Sequence, residues 1–150
     1  MESSDIIALG SAFVAGLAAL YARWAAIATR RQNEIALHSE RLRVYRGVVD
    51  YGCKLAGQGP LIKENDVWSF DEWVQLSEFY FNKSIFERLD SVFKESMQLL
   101  GLNDEWNSAD NGSDTKKEIN SQRRTLHRKL RDECFAIRDE MKECLRVTEA

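Results

Sequence analysis

IIALGSAFVAGLAALYA, residues 6–22, is a run of 17 residues without a charge, and after Arg23 the apolar character resumes as WAAIAT before Arg30 and Arg31. Such a run reaches the lower edge of a bilayer span, and with a snorkelling Arg23 it extends to about 20 to 24 residues. Tyr21, Arg23, Trp24, Arg30 and Arg31 are placed as interface anchors, the aromatics in a belt and the cations at the headgroups. The opening MESSD carries two acids and no base, the reverse of a secretory leader. The basic cluster after the run predicts a single pass through the bacterial inner membrane, N-terminus outside and the remainder cytoplasmic.

Small residues recur along this stretch at three- and four-residue spacing. Ser11, Ala12, Ala15, Gly16 and Ala19 form the flank predicted to bring copies of the helix together, because close backbone approach drives helix association in lipid. A soluble, Ala-rich helix buried in a bundle is the alternative.

Beyond the run the chain reads as all-α. It has one proline and eight glycines in 150 residues, so long helices are expected. The expected architecture is a transmembrane segment over 1–30 continuing into a cytosolic helical domain over 31–150. The first helix is expected to persist to about residue 56, roughly 50 residues and about 75 Å, and to stop at Gly57, Gly59 and Pro60. Ile35, Leu42, Val49 and Ala56 repeat every seven, with His38, Tyr45 and Gly52 interleaved. They form either a coiled-coil seam or a face covered by later helices, and the mixed second set favours the covered face.

Ser69 with Glu72 and Ser84 with Glu87 read as capping boxes, predicting helices over about 70–81 and 85–100. Phe70, Trp73, Val74, Leu76, Phe79, Tyr80 and Phe81 in the first, and Ile85, Phe86, Leu89, Val92, Phe93 and Leu100 in the second, are the expected core. Residues 102–114 (LNDEWNSADNGSD) read as a flexible polar linker. Ile119, Leu126, Leu130, Cys134, Ile137, Met141 and Leu145 then mark an amphipathic helix over about 115–146.

The net charge of −3 hides blocks: +4 over residues 23–46, −8 over 59–114 and +6 over 115–131. Basic and acidic helices lying against each other, within or between subunits, account for that pattern. A second use of the last block is contact with an anion or nucleic acid through Lys116, Lys117, Arg123, Arg124 and Arg128, although no interleaved aromatic offers base stacking.

Cys53, Cys134 and Cys144 show neither a CxxC pair nor metal-ligand spacing with His38 or His127, and read as small hydrophobes in a reducing compartment. No cofactor or metal is implied, and with no phosphate loop, G-x-S-x-G or HExxH the expectation is a protein without enzymatic activity.

One spacing points elsewhere. Arg31 and His38, with six residues between, resemble the R-x4-6-H motif of HEPN ribonucleases, whose Arg and His from two subunits form an RNA-cleaving site. Gln32 stands where that family has its usual polar residue after the Arg. Over nearly its whole length the chain resembles a recurrent type of small bacterial membrane protein. The likeness rests on the apolar opening helix, the R-x-x-V-Y-like Arg41-Leu42-Arg43-Val44-Tyr45 and the F-x-F-x-x-x-I-like Phe79-Tyr80-Phe81-Asn82-Lys83-Ser84-Ile85. In architecture it is also similar to the helical membrane effectors of prokaryotic antiviral defence, some of which form pores.

The resemblance implies a homo-oligomer in contact with membrane lipid, acting as a pore-forming or membrane-perturbing effector gated by its cytosolic domain. A membrane-tethered adaptor recruiting a cytosolic protein or an RNA-linked defence complex is the rival expectation.

Overall fold

The computed structural model describes the backbone of residues 3–146 and the side chains of residues 13–146. Among the described residues the chain is all-helical, with four helices: α1 (Ser3–Gln58), α2 (Glu64–Tyr80), α3 (Lys83–Ser108) and α4 (Asp114–Arg146). It divides into two units, one reaching to Leu37 and one starting at His38.

The second unit is a four-helix bundle whose topology follows from its cross-contacts. Arg41 Nε donates to the Tyr80 carbonyl at 2.9 Å, Gly47 meets Trp73, Tyr51 stacks on Phe70, and Gln58 Nε2 donates to Asp66 at 3.0 Å. Rising numbers in α1 meet falling numbers in α2, so the two are antiparallel. The same reasoning applies to α3 and α4, through Arg88 with Glu140, Glu95 with Lys129, and Asn103 with Arg123. α4 returns to α1, with Cys134 beside Gly52 and His127 Nε2 lying 2.7 Å from the Leu55 carbonyl. A carbonyl oxygen only accepts, so Nε2 carries the hydrogen. The helices therefore run up, down, up, down around one core.

That core is Val44, Val48, Tyr51 and Leu55 from α1, Val67, Phe70 and Val74 from α2, Ile85, Leu89, Val92 and Leu99 from α3, and Leu130, Cys134, Ile137 and Met141 from α4. The spacings of four, three and four in α1 follow the helical period. The seven-residue repeat is not this face. Ile35 is 70% exposed, Ala56 is exposed, and Leu42 and Val49 are half-buried. Glycine explains the difference: a Cβ at Gly47 would run into the Trp73 ring, and Gly52 faces Cys134 and Phe135, so α1 packs closely at positions that apolar counting passes over.

The end of α1 agrees with expectation, whereas the starts of α2 and α3 do not. α1 stops where Gly59 takes φ +62° and donates its N–H to the Leu55 carbonyl at 3.2 Å, followed by Pro60. α2 starts at Glu64, five residues before the Ser69 and Glu72 box. Glu64 and Asp66 place negative charge on its first turn, and the Ser69 hydroxyl donates instead to the Asn65 carbonyl. Asn82, not Ser84, caps α3, its Oδ1 accepting from Ile85 N at 2.9 Å.

The expected linker over 102–114 is largely helix. α3 continues through Gly101 to Ser108 because Asn103 is buried, donating to the Pro60 carbonyl and accepting from Arg123 Nε at 2.7 Å. Phe79 leaves the predicted core and is 76% exposed.

Among the described residues, the buried side-chain polar atoms other than Gln58 Oε1 are hydrogen-bonded. Tyr51 Oη donates to Ser96 Oγ at 2.6 Å, which donates to the Val92 carbonyl, and burial pushes the Tyr51 hydroxyl's pKa up. Of the cysteines only Cys134 is fully buried, its thiol pushed up to about 12; Cys144 is half-buried and Cys53 exposed.

Asp66 supplies a pH signature. The Gln58 amide, then the Lys54 ammonium at 3.0 Å, hold its carboxyl below the usual carboxylate range. A depressed folded-state pKa stabilises at pH values above the unfolded value, about 4, and that contribution is lost as pH falls through the folded value. Asp66→Asn is therefore expected to lower the urea midpoint at pH 7 and to narrow its fall between pH 7 and pH 3. Parallel titrations of wild type and variant check this.

Candidate functional site

The first unit is the amino-terminal part of α1. Its side chains from Phe13 to Leu37 are all exposed, the large apolar ones among them: Phe13 is 69% exposed, Leu17 52%, Tyr21 77% and Trp24 74%. Isolated exposed hydrophobes are ordinary on a protein surface, but a continuous helical run of them marks an interaction surface. Ala15, Gly16 and Ala19 are exposed along the same stretch, and nothing lies within 4 Å of a Cβ built at Gly16. Ser11 and Ala12 lie outside the residues whose side chains are described. Arg23, Arg30 and Arg31 are exposed.

Among the described residues no helix is long and apolar enough to cross a membrane. The uncharged run begins at residue 6, so its opening portion falls outside the described side chains. The described remainder meets Arg23 after ten residues and Arg30 after seventeen.

The second candidate surface is the basic start of α4, and the structure divides its five cations. Arg123 is buried, its guanidinium 4.5 Å from the Trp106 ring centroid; burial, then repulsion from Arg124, lowers its pKa. Lys116 lies 4.8 Å from the same ring and donates to the Ala109 carbonyl and Asn111 Oδ1. Lys117 pairs with Asp114 at 2.8 Å. Trp106 thus joins the end of α3 to the start of α4, a role signalled only by a lone aromatic in a polar tract. Arg124 and Arg128, one helical turn apart, are exposed, and neither has an ion pair among the described residues.

The charge blocks do meet inside one chain. Lys129 of the last block binds Glu95 at 2.6 Å and Arg43 of the first lies 3.9 Å from Glu72, while Arg88, a base within the acidic block, binds Glu133 at 2.7 Å and Glu140. No model of a known family, no curated protein and no solved structure matches the chain. Arg31 is exposed and His38 half-buried, and among the described residues no three His, Cys, Asp or Glu side chains group as metal ligands.

Proposed function

We propose that this chain is a single-span inner-membrane protein whose copies associate span to span and carry their helical bundles on the cytoplasmic side. The observation that supports the reading is the uncovered apolar amino-terminal part of α1, from Phe13 to Trp24, continuous with the uncharged run that starts at residue 6. Water is a poor solvent for such a surface, and burying it in lipid removes the cost at about 25 cal/mol per Å². Arg30 and Arg31 end the run where cytoplasmic headgroups would hold them. Ala15, Gly16 and Ala19 leave the backbone open to a second helix. Assembly of several spans alters membrane permeability, and the bundles set when it does so.

The exposed Phe79 and Trp68 favour a second reading, in which the bundle recruits a cytosolic protein and the span only tethers it. Purified protein in dye-loaded liposomes separates the two. Leakage that Gly16→Leu abolishes supports the assembly reading, whereas intact vesicles at full insertion favour the tether.

A further inference from the structure

We propose that the bundle carries a head-to-tail interface between copies of this chain, in which Arg124 and Arg128 of one copy engage the acid-rimmed groove beside Leu61 and Leu100 of the next. The inference rests on the self-association proposed above and names a second, cytosolic contact for it.

The groove lies between the start of α2 and the later turns of α3. Leu61, Met97 and Leu100 form its apolar lining, and Glu64 and Asp104 its acidic rim. Leu61 is 62% exposed and Met97 and Leu100 are half-buried, so the lining is open in part within one copy. Among the described residues the Asp104 carboxylate has no ion pair, and Glu64 only accepts from Trp68 Nε1. Across the bundle, Arg124 and Arg128 are the cations of the basic block that internal contacts leave unused. Unpaired acids and unpaired bases on one chain, with an apolar patch among the acids, are complementary surfaces for a second copy.

Their placement favours a head-to-tail contact. Asn103, adjacent to Asp104, binds Arg123, adjacent to Arg124, at 2.7 Å, so groove and cations sit at one level of the bundle. They face different sides, since α2 and α4 flank α3 separately. One patch meeting a different patch is a heterologous contact, which closes into a ring when the rotation permits. Copies rotated about an axis parallel to the bundle keep the two patches level. Charge complementarity then sets register and direction more than raw affinity.

Full-length chain in detergent micelles at about 0.1 M salt, sized by sedimentation velocity, tests this. Glu64→Lys with Asp104→Lys, or Arg124→Glu with Arg128→Glu, is expected to raise the half-assembly concentration by about tenfold or more. Mixing the two reversed chains restores assembly, because every interface of an alternating complex regains opposite charges. All four residues are at the surface, and an unchanged helical signal confirms folding. Wild-type oligomers that survive both reversals, or reversed chains that do not rescue each other, overturn this interface and leave the span contact standing. A wild type that stays monomeric in micelles and vesicles overturns both.

Discussion

Replacing Phe70 by Ala is expected to lower the stability of the bundle by about 3–5 kcal/mol. Phe70 is 1% exposed, and its ring stacks on Tyr51 with centroids 3.9 Å apart and planes 10° from parallel. Truncation removes the transfer energy of a large ring and leaves a cavity beside the Tyr51 to Ser96 hydrogen bond, at the point where α1, α2 and α3 meet. A domain of this size has about 5–15 kcal/mol in all, so the loss takes a large fraction of it. The urea midpoint followed by circular dichroism reads the effect. Phe79→Ala, at an exposed site nine residues on, is the matched control and should change stability by less than about 0.5 kcal/mol. Equal losses at the two positions would show that the buried face of α2 is misassigned.

Leu17→Arg is expected to have the other large effect, on partition instead of folding. Leu17 is exposed and lies near the middle of the apolar stretch between residues 6 and 29. An arginine at the centre of a membrane helix costs about 2.5–3.5 kcal/mol on insertion scales. That is roughly a hundredfold change in partition at 1.4 kcal/mol per tenfold. The stretch already carries Arg23 and lies at the lower limit of span length, so little margin remains. The variant should leave the membrane fraction, while Leu17→Ala, which keeps the stretch apolar, should remain in it. An Arg variant that partitions like wild type would place this surface away from the lipid core.

The helical content, the length of α1 and the stripe of α4 were legible because each rests on repetition: apolar side chains at helical spacing, or the absence of breakers. What escaped rests on single contacts. Gly47 and Gly52 look like weak points in a helix, yet they allow Trp73 and the α4 side chains to close on α1. Asn103 and Trp106 sit in a tract whose composition reads as linker. They extend α3 because Arg123 binds both, a pairing twenty residues away in sequence that no local pattern encodes.

Capping boxes misled for a similar reason. Ser69 and Ser84 match the motif, but the chain had already turned helical at Glu64 and Lys83, where first-turn acids and the Asn82 side chain supply what the motif would have. At the candidate surfaces, sequence identified the apolar run and the basic block. It could not divide that block into Lys116, Lys117 and Arg123, held by their own chain, and Arg124 and Arg128, left outward.

Everything proposed for this protein begins with the apolar amino-terminal part of α1 residing in lipid. Membranes from cells expressing the full chain, washed with alkaline carbonate and floated through a sucrose gradient, test that directly. The expected result is that the chain floats with the lipid after the wash. A chain that stays at the bottom of the gradient with the soluble proteins would contradict it.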